Sequence, residues 1–331
     1  MNILRRIFGL EPTAIKGRAK AVMPPQATAR DAALEDLTAG ATGPSEPPAE
    51  EHPPLLGATR QLPTLESALA QRPNQHIVYG QRSDVGMVRS NNQDSVLSFF
   101  VSQGNVDNVA DFGLFIVADG MGGHHDGEKA SAIAARVLAK QVTSKIVLPM
   151  LINSDHEPDQ PTATEILTEA VKLANEVVVN IIPEGGTTIT AAALFGDIVH
   201  VVHVGDSRAY LATKEFGLEQ ITRDHSLVQR LIELDQLTPE EAAQHPQKNV
   251  LYRAIGQSDN LEVDIVTRRL PAASYLLLCT DGLWNMVPEA QVLDIILNSA
   301  SPQDACDRLI GAANACGGSD NISAILLQIP S

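Results

Sequence analysis

Two β-rich runs, residues 187–195 and 198–204, are separated only by Gly196-Asp197. A two-residue link of this kind is a hairpin, and a hairpin imposes antiparallel pairing. Parallel neighbours need a crossover of about a dozen residues or more, so strict β-α-β alternation is ruled out here. Residues 208–212 follow as a third strand, again with no space for a helix. Helical patterns are grouped elsewhere. Residues 128–139 set Ala130, Ile133, Ala134, Val137 and Leu138 on one face. A second helix is predicted from Thr162, which has capping-box spacing to Glu165; its stripe is Leu167, Ala170, Val171, Ala174 and Val178. Thr238-Pro239-Glu240-Glu241 opens another, with a cap, a proline at the first helical position and an acid three after the cap. Phe112 to Ala118 is a short apolar run of the buried-strand kind, and 274–280 and 321–329 are two more, separated by helices opening near Pro288 and Pro302. The pattern predicts an α+β fold with mostly antiparallel sheets.

That pattern begins only near residue 76. Residues 1–75 hold 10 of the 20 prolines and one of the 12 aromatic residues, Phe8. Pairs such as Pro24-Pro25, Pro47-Pro48 and Pro53-Pro54 extend neither a helix nor a central strand. The expected organisation is a disordered Pro/Ala-rich tail over 1–75 and a folded domain over 76–331. Residues 2–10 carry Arg5 and Arg6 among apolar side chains, the composition of a short amphipathic turn for a membrane surface or a partner. Isolated helices below ~12 residues are marginal, so an unstructured start is expected instead.

The tail has 8 basic and 8 acidic residues, which leaves 16 basic and 32 acidic in the rest, so the formal charge of -16 resides in the folded part. Such a surface argues against duplex nucleic acid, whose phosphates need clustered Lys and Arg, and suits a cation binder. Three widely spaced cysteines, Cys279, Cys306 and Cys316, lack metal-ligand spacing and point to reduced thiols in a cytoplasmic protein. No run approaches the ~20 apolar residues of a membrane span. Arg5 and Arg6 interrupt the only apolar run at the N-terminus, against a signal peptide. A monomer is the default expectation.

The chemistry concentrates at aspartates. Asp119, Asp206 and Asp281 each follow an apolar strand run, and Asp320 precedes one. Any single Asp-Gly pair is more simply a turn. Four carboxylates at strand ends can converge on one place, where they repel unless a cation lies between them. Oxygen ligands without a His/Cys set favour hard ions, Mg²⁺ or Mn²⁺.

Five ordered blocks carry a further signal: Ser83-Asp84-Val85-Gly86-Met87-Val88-Arg89-Ser90-Asn91-Asn92-Gln93-Asp94-Ser95; Val117-Ala118-Asp119-Gly120-Met121-Gly122-Gly123-His124; Gly186-Thr187-Thr188; Val204-Gly205-Asp206-Ser207-Arg208-Ala209-Tyr210; and Cys279-Thr280-Asp281-Gly282-Leu283-Trp284 with Gly318-Ser319-Asp320-Asn321-Ile322. Together they resemble the signature of the metal-dependent Ser/Thr protein phosphatases of type 2C in their bacterial form, from about 80 to 328. The resemblance implies a central β-sandwich of two antiparallel sheets flanked by helices on both sides, an α-β-β-α fold. It implies hydrolysis of phosphoserine and phosphothreonine in proteins by direct attack of a metal-bridging water. Asp119 matches the carboxylate between two Mn²⁺ or Mg²⁺ ions, and Gly120 a ligand through its carbonyl. Asp281 and Asp320 match the ligands of the second ion. Asp206, with Asp281, matches the holder of a third, weaker one. Arg89 matches the arginine that grips the phosphate, a task suited to a planar guanidinium. Asp94 is expected to support the site from behind. An opposing Ser/Thr kinase and its substrates are the implied partners.

Some positions depart from the family pattern. Gln93 stands where better-known members have a glutamate that holds metal-bound water; an amide still hydrogen-bonds but brings no charge. Met121 stands where eukaryotic members have a histidine proposed as general acid. His124 and His125 have no matching role, with His124 expected to cap a loop, and His225 is expected to orient its loop rather than move protons. Residues 226–256 correspond to a variable flap, with Leu227, Leu231, Leu234 and Leu237 available to dock it. Two other classes compete. A silent binding module would be expected to lack some of the four aspartates, yet all are present. A hydrolase of small phosphate esters would differ in its rates on phosphopeptides and small esters.

Overall fold

The computed structural model describes residues 76–102, 111–123, 126–152 and 161–330. All belong to one unit, Leu62–Ser331. Residues 1–75, His124 and His125, and with them the expectations of a tail and of a loop cap, lie outside the described residues.

Two antiparallel sheets form the centre. The first runs β1 (Val78–Asp84), β11 (Ile322–Gln328), β10 (Tyr275–Cys279), β7 (Arg208–Thr213) and β8 (Gly217–Gln220). The second runs β2 (Asp94–Val101), β3 (Phe112–Met121), β5 (Ile189–Phe195), β6 (Ile198–Val204) and β9 (Asp264–Arg269), with the short β4 (Gly186–Thr187) beside β3. The expected hairpin is β5–β6, its link turning at Gly196 with φ 60°.

Strands in both sheets are continuous apolar runs because both of their faces are covered. Along β10, Leu276 and Leu278 face the other sheet, where they meet Phe115, Val117, Ala192 and Val201. Leu277 and Cys279 face outward onto two helices, α7 (Glu289–Leu297) and α8 (Pro302–Ala315), through Ile296, Leu309 and Ala313. On the other side α1 (Asp126–Val142) and α3 (Ala163–Ile181) pack on each other and on the second sheet. Between them a wide π-type turn, Thr143–Val147, leads into α2 (Leu148–Leu151). The layers are therefore α-β-β-α, as expected.

Local signals place the helix starts correctly. Thr162 and Glu165 form the reciprocal capping box of α3, and Leu167, Ala170, Val171, Ala174 and Val178 are all buried. In α1 the buried stripe includes Ala130, Ala134, Val137 and Leu138, whereas Ile133 is only half-buried. The run 187–195 is one line of chain divided into β4 and β5. The ladder lapses between them because the Asp119 amide donates to the Thr188 hydroxyl, at 2.9 Å, rather than to a carbonyl.

The flap holds two short helices, α4 (Leu227–Glu233) and α5 (Pro239–Ala243), the second with the expected capping box on Thr238 and Glu241. Its leucines do not bury: Leu227, Leu231 and Leu237 are half-covered and Leu234 is 50% exposed. The flap is attached instead by backbone bonds at its base, Leu227 to Val250 and Tyr252 to His225. Among the described residues no helix is long and apolar enough to cross a membrane.

Candidate metal and phosphate site

Antiparallel register carries the aspartates to one end of the sandwich. Asp119, late in β3, lies directly across from Asp94, the first residue of β2. The ends of β10 and β11 meet through Cys279 and Ala324, so Asp281 and Asp320, just beyond them, are neighbours. Cys279 also pairs with Arg208 at the start of β7, which brings Asp206 to the same end. Asp281 begins the four-residue helix α6 (Asp281–Trp284).

The cluster is half-buried, with Asp206 fully so, and under electrostatic pressure. Burial, with the charges of Asp281 and Asp320, pushes the Asp94 carboxyl up to about 7. Burial and Asp320 push Asp281 up to about 6, although the Asp119 carboxyl lies near enough to share a proton with it. Burial and neighbouring carboxylates also raise Asp119 and Asp206 well above the usual range. Oδ1 of Asp281 and Oδ1 of Asp94 are buried without a hydrogen-bond partner. A buried carboxylate oxygen in this state is costly unless something of opposite charge faces it.

Arg89 supplies part of that charge. Its Nη2 donates to Oδ2 of Asp320 at 2.7 Å, with half of the arginine side chain still open to solvent. Asp320 also accepts from the Asn321 amide at 2.9 Å. Among the described residues no three His, Cys, Asp or Glu side chains form a ready cation cage. A cation here would complete its shell with backbone carbonyl and water. At Gly120 a Cβ would fall 2.2 Å from the Gly127 carbonyl oxygen, so only glycine allows β3 to run this close to the start of α1.

Residues around the cluster hold it in shape. Asp94 Oδ2 accepts from Thr280 Oγ1 at 2.8 Å and from Ser323 Oγ at 2.7 Å. The Gln93 carbonyl accepts from the Gly120 amide and the Ser131 hydroxyl, and its own amide donates to Asn321. Its Nε2 lies against Gly127. Met121 packs on Gly186 across the β3–β4 ladder. His225 is buried below the flap: its amide donates to the Gly205 carbonyl, its Nδ1 accepts from the Gly205 amide, and its Nε2 faces Asp264. Burial lowers its pKa and takes that of neighbouring His203 down to about 3, so both rings are set to stay neutral at neutral pH.

Several supporting residues carried no individual role at the sequence level. Asn321 Nδ2 donates to the carbonyls of Val85 and Asn91, closing the Arg89 loop. Behind Asp206, Trp284 Nε1 donates to its carbonyl, and the Arg208 guanidinium stacks 3.6 Å above the Trp284 ring. Arg208 also binds both oxygens of Asp224 and the Tyr210 hydroxyl. Thr280 and Ser323 are hydroxyls at the ends of otherwise apolar strand runs, the one sequence signal that singles them out. Arg208 and Asp224 are 17% and 5% exposed. Replacing Arg208 with Ala strands a buried carboxylate, so Arg208→Ala is expected to cost about 3–5 kcal/mol in urea unfolding. A loss below about 1 kcal/mol would mean that Asp224 finds water or another donor.

A family model described as protein phosphatase 2C matches residues 87–316. The chain belongs to that family, enzymes that remove phosphate from proteins. It is 37% identical over 252 residues to the serine/threonine phosphatase stp of Listeria innocua, covering 75% of this chain and 94% of that one. The structure of the S. agalactiae serine/threonine phosphatase superposes with a TM-score of 0.66 at 33% identity, covering 77% of this chain and all (100%) of the other. The catalytic domain of PstP in complex with two manganese ions superposes with a TM-score of 0.61 at 31% identity, covering 77% and 99%.

Proposed function

We propose that this chain dephosphorylates phosphoserine and phosphothreonine in proteins with Mn²⁺ or Mg²⁺ at the aspartate cluster. The observation that carries the reading is the buried, partnerless Oδ1 of Asp281 inside a set of mutually repelling carboxylates, with Arg89 at its rim. An all-oxygen donor set of this kind fits a hard cation. Asp119, Gly120, Asp281 and Asp320 would hold a core pair of ions, and Asp206 with Asp281 a weaker third. When bound, the ions supply Lewis-acid charge at the phosphoryl group and acidify water for in-line attack.

The chain's own groups do the rest. Arg89 exchanges Asp320 for the substrate phosphate, offering paired N–H donors to its oxygens. Asp94, held by Thr280 and Ser323, fixes the spacing of β2 against β11 behind Asp119. Gln93 and Asn321 keep the two loops in register with Gly120. Met121 in β3 offers no proton, so the leaving-group proton comes from water or from another residue. The partners under this reading are phosphorylated Ser/Thr proteins, including a cognate Ser/Thr kinase and its substrates. The acidic folded part and its unlinked cysteines support a cytoplasmic protein that does not bind nucleic acid, with a monomer as the default.

The test is hydrolysis of a phosphothreonine peptide at neutral pH with Mn²⁺, with Mg²⁺ and with chelator. Turnover is expected with either metal and none with chelator. Metal binding without turnover on any phosphorylated peptide would instead make the chain a silent binding module.

A further inference from the structure

Asp206 is held at both of the peptide planes that flank its Cα. A peptide unit is planar, so φ and ψ alone set the direction in which a side chain leaves the backbone. The plane before Asp206 is held at the Gly205 carbonyl, which accepts from the His225 amide at 2.7 Å. The plane after it is held at the Asp206 carbonyl, which accepts from Trp284 Nε1 at 3.1 Å. With both planes fixed, the Cα–Cβ direction of Asp206 is fixed too.

The two holds come from different parts of the molecule. His225 stands at the base of the flap. Ser207, next along, is held from the second sheet: its carbonyl accepts from Thr190 Oγ1 at 2.8 Å, and its hydroxyl meets Thr188 Oγ1 at 2.6 Å. Trp284 belongs instead to α6, the helix that Asp281 begins, and at three residues' spacing the two share one helical face. Among the described residues, the indole bond is the one hydrogen bond that α6 gives to Gly205–Ser207. The ring is steadied by the Arg208 guanidinium, 3.6 Å from its centroid, which Asp224 grips in turn. Burial and the charge of Asp281 raise the Asp206 pKa, as expected of two carboxylates that face one space.

We propose that Trp284 is a positioning residue: its indole N–H sets Asp206 against Asp281 and thereby sets the affinity of the weaker cation that these two carboxylates share. The inference rests on the phosphatase reading and assigns a residue to its third ion. The core pair at Asp119, Gly120, Asp281 and Asp320 takes no ligand from the Asp206 loop, so the indole bond bears on the weaker site alone. Trp284→Phe removes the N–H and keeps an aromatic ring beside Arg208. The buried Asp206 carbonyl then loses its donor, and the plane that carries it is free to turn.

The test is calorimetric titration of the full chain with Mn²⁺ alone, with turnover of a phosphothreonine peptide followed alongside. Wild type is expected to show a tight class of sites and a weaker one, and Asp206→Asn to lose the weaker one. Trp284→Phe is expected to weaken the weaker class by about tenfold, the scale of one hydrogen bond behind a metal ligand, and the tight class by less than about twofold. The two classes are compared within one protein, so a partly misfolded sample lowers the stoichiometry without imitating the change. A second readout needs no change at position 284. Trp284 is the single tryptophan of the chain, so wild-type fluorescence reports on this ring. An emission step is expected at the weaker affinity in wild type and not in Asp206→Asn. Unchanged classes in Trp284→Phe, equal weakening of both, a wild-type titration without a weaker class, or an emission that ignores it overturns the proposal. Peptide turnover with Mn²⁺ then leaves the phosphatase reading standing. A chain that neither binds Mn²⁺ nor turns over the peptide overturns both.

Discussion

Asp281→Asn is expected to lower metal-dependent turnover of a phosphopeptide by about a thousandfold, the scale of the several kcal/mol that a bound cation contributes. The same substitution is expected to make the metal-free protein more stable at neutral pH. Burial and Asp320 hold the Asp281 carboxyl at about 6 in the folded chain, against 3.8 when it is free. Between those values the folded state holds a proton that the unfolded state has released, so stability falls as pH rises. The penalty is absent below about pH 4, is complete above about pH 7, and amounts to roughly 3 kcal/mol for a shift of about two units. Asp94, pushed up to about 7, adds to the same trend over a slightly higher window. In chelator, the wild-type melting temperature should therefore drop between pH 5 and pH 8, and the Asn variant should drop less. A flat wild-type profile would mean that the carboxylates do not press on one another. A variant that retains turnover would remove Asp281 from the site.

Arg89→Ala is expected to reduce kcat/KM for the phosphopeptide by about a hundredfold, chiefly through KM, because a charge-assisted pair of donors to phosphate is lost. Arg89→Lys should recover only part of this, since an ammonium cannot reproduce the planar fork. Stability should change little. The Arg89–Asp320 pair is half open to water, where ion pairs contribute at most about 1 kcal/mol. An unchanged KM and kcat in Arg89→Ala would exclude the arginine from phosphate binding.

The elements legible from sequence are those whose cause is local. Thr162 and Glu165 cap α3 as their spacing requires, and Gly196-Asp197 closes the β5–β6 hairpin. The runs 274–280 and 321–329 are strands because apolar side chains on both faces leave few alternatives, with boundaries within a residue or so of β10 and β11. Packing partners are another matter. The leucines of the flap have helical spacing, yet spacing does not say what surface is within reach, and they remain half-covered or exposed. Ile133 has the correct phase for the α1 stripe and still sits at its margin.

The candidate site divides in the same way. Asp119, Asp206, Asp281 and Asp320 could be named from their places beside apolar runs, and the motif blocks assigned Arg89 and Gly120 with them. Their convergence depends on pairings between distant segments: Asp94 opposite Asp119, Cys279 between Arg208 and Ala324, and Asp84 opposite Ile322 across the β1–β11 ladder. The Asn321 clamp on the Arg89 loop and the Arg208–Trp284 stack behind Asp206 are of this kind too. Hairpins, caps and burial periodicity act over a few residues, so the order of amino acids suffices to set them. Which strand ends meet, which carboxylates lose their water and which apolar side chains stay outside depend on long-range register, and that exists only once both sheets have closed on their common core.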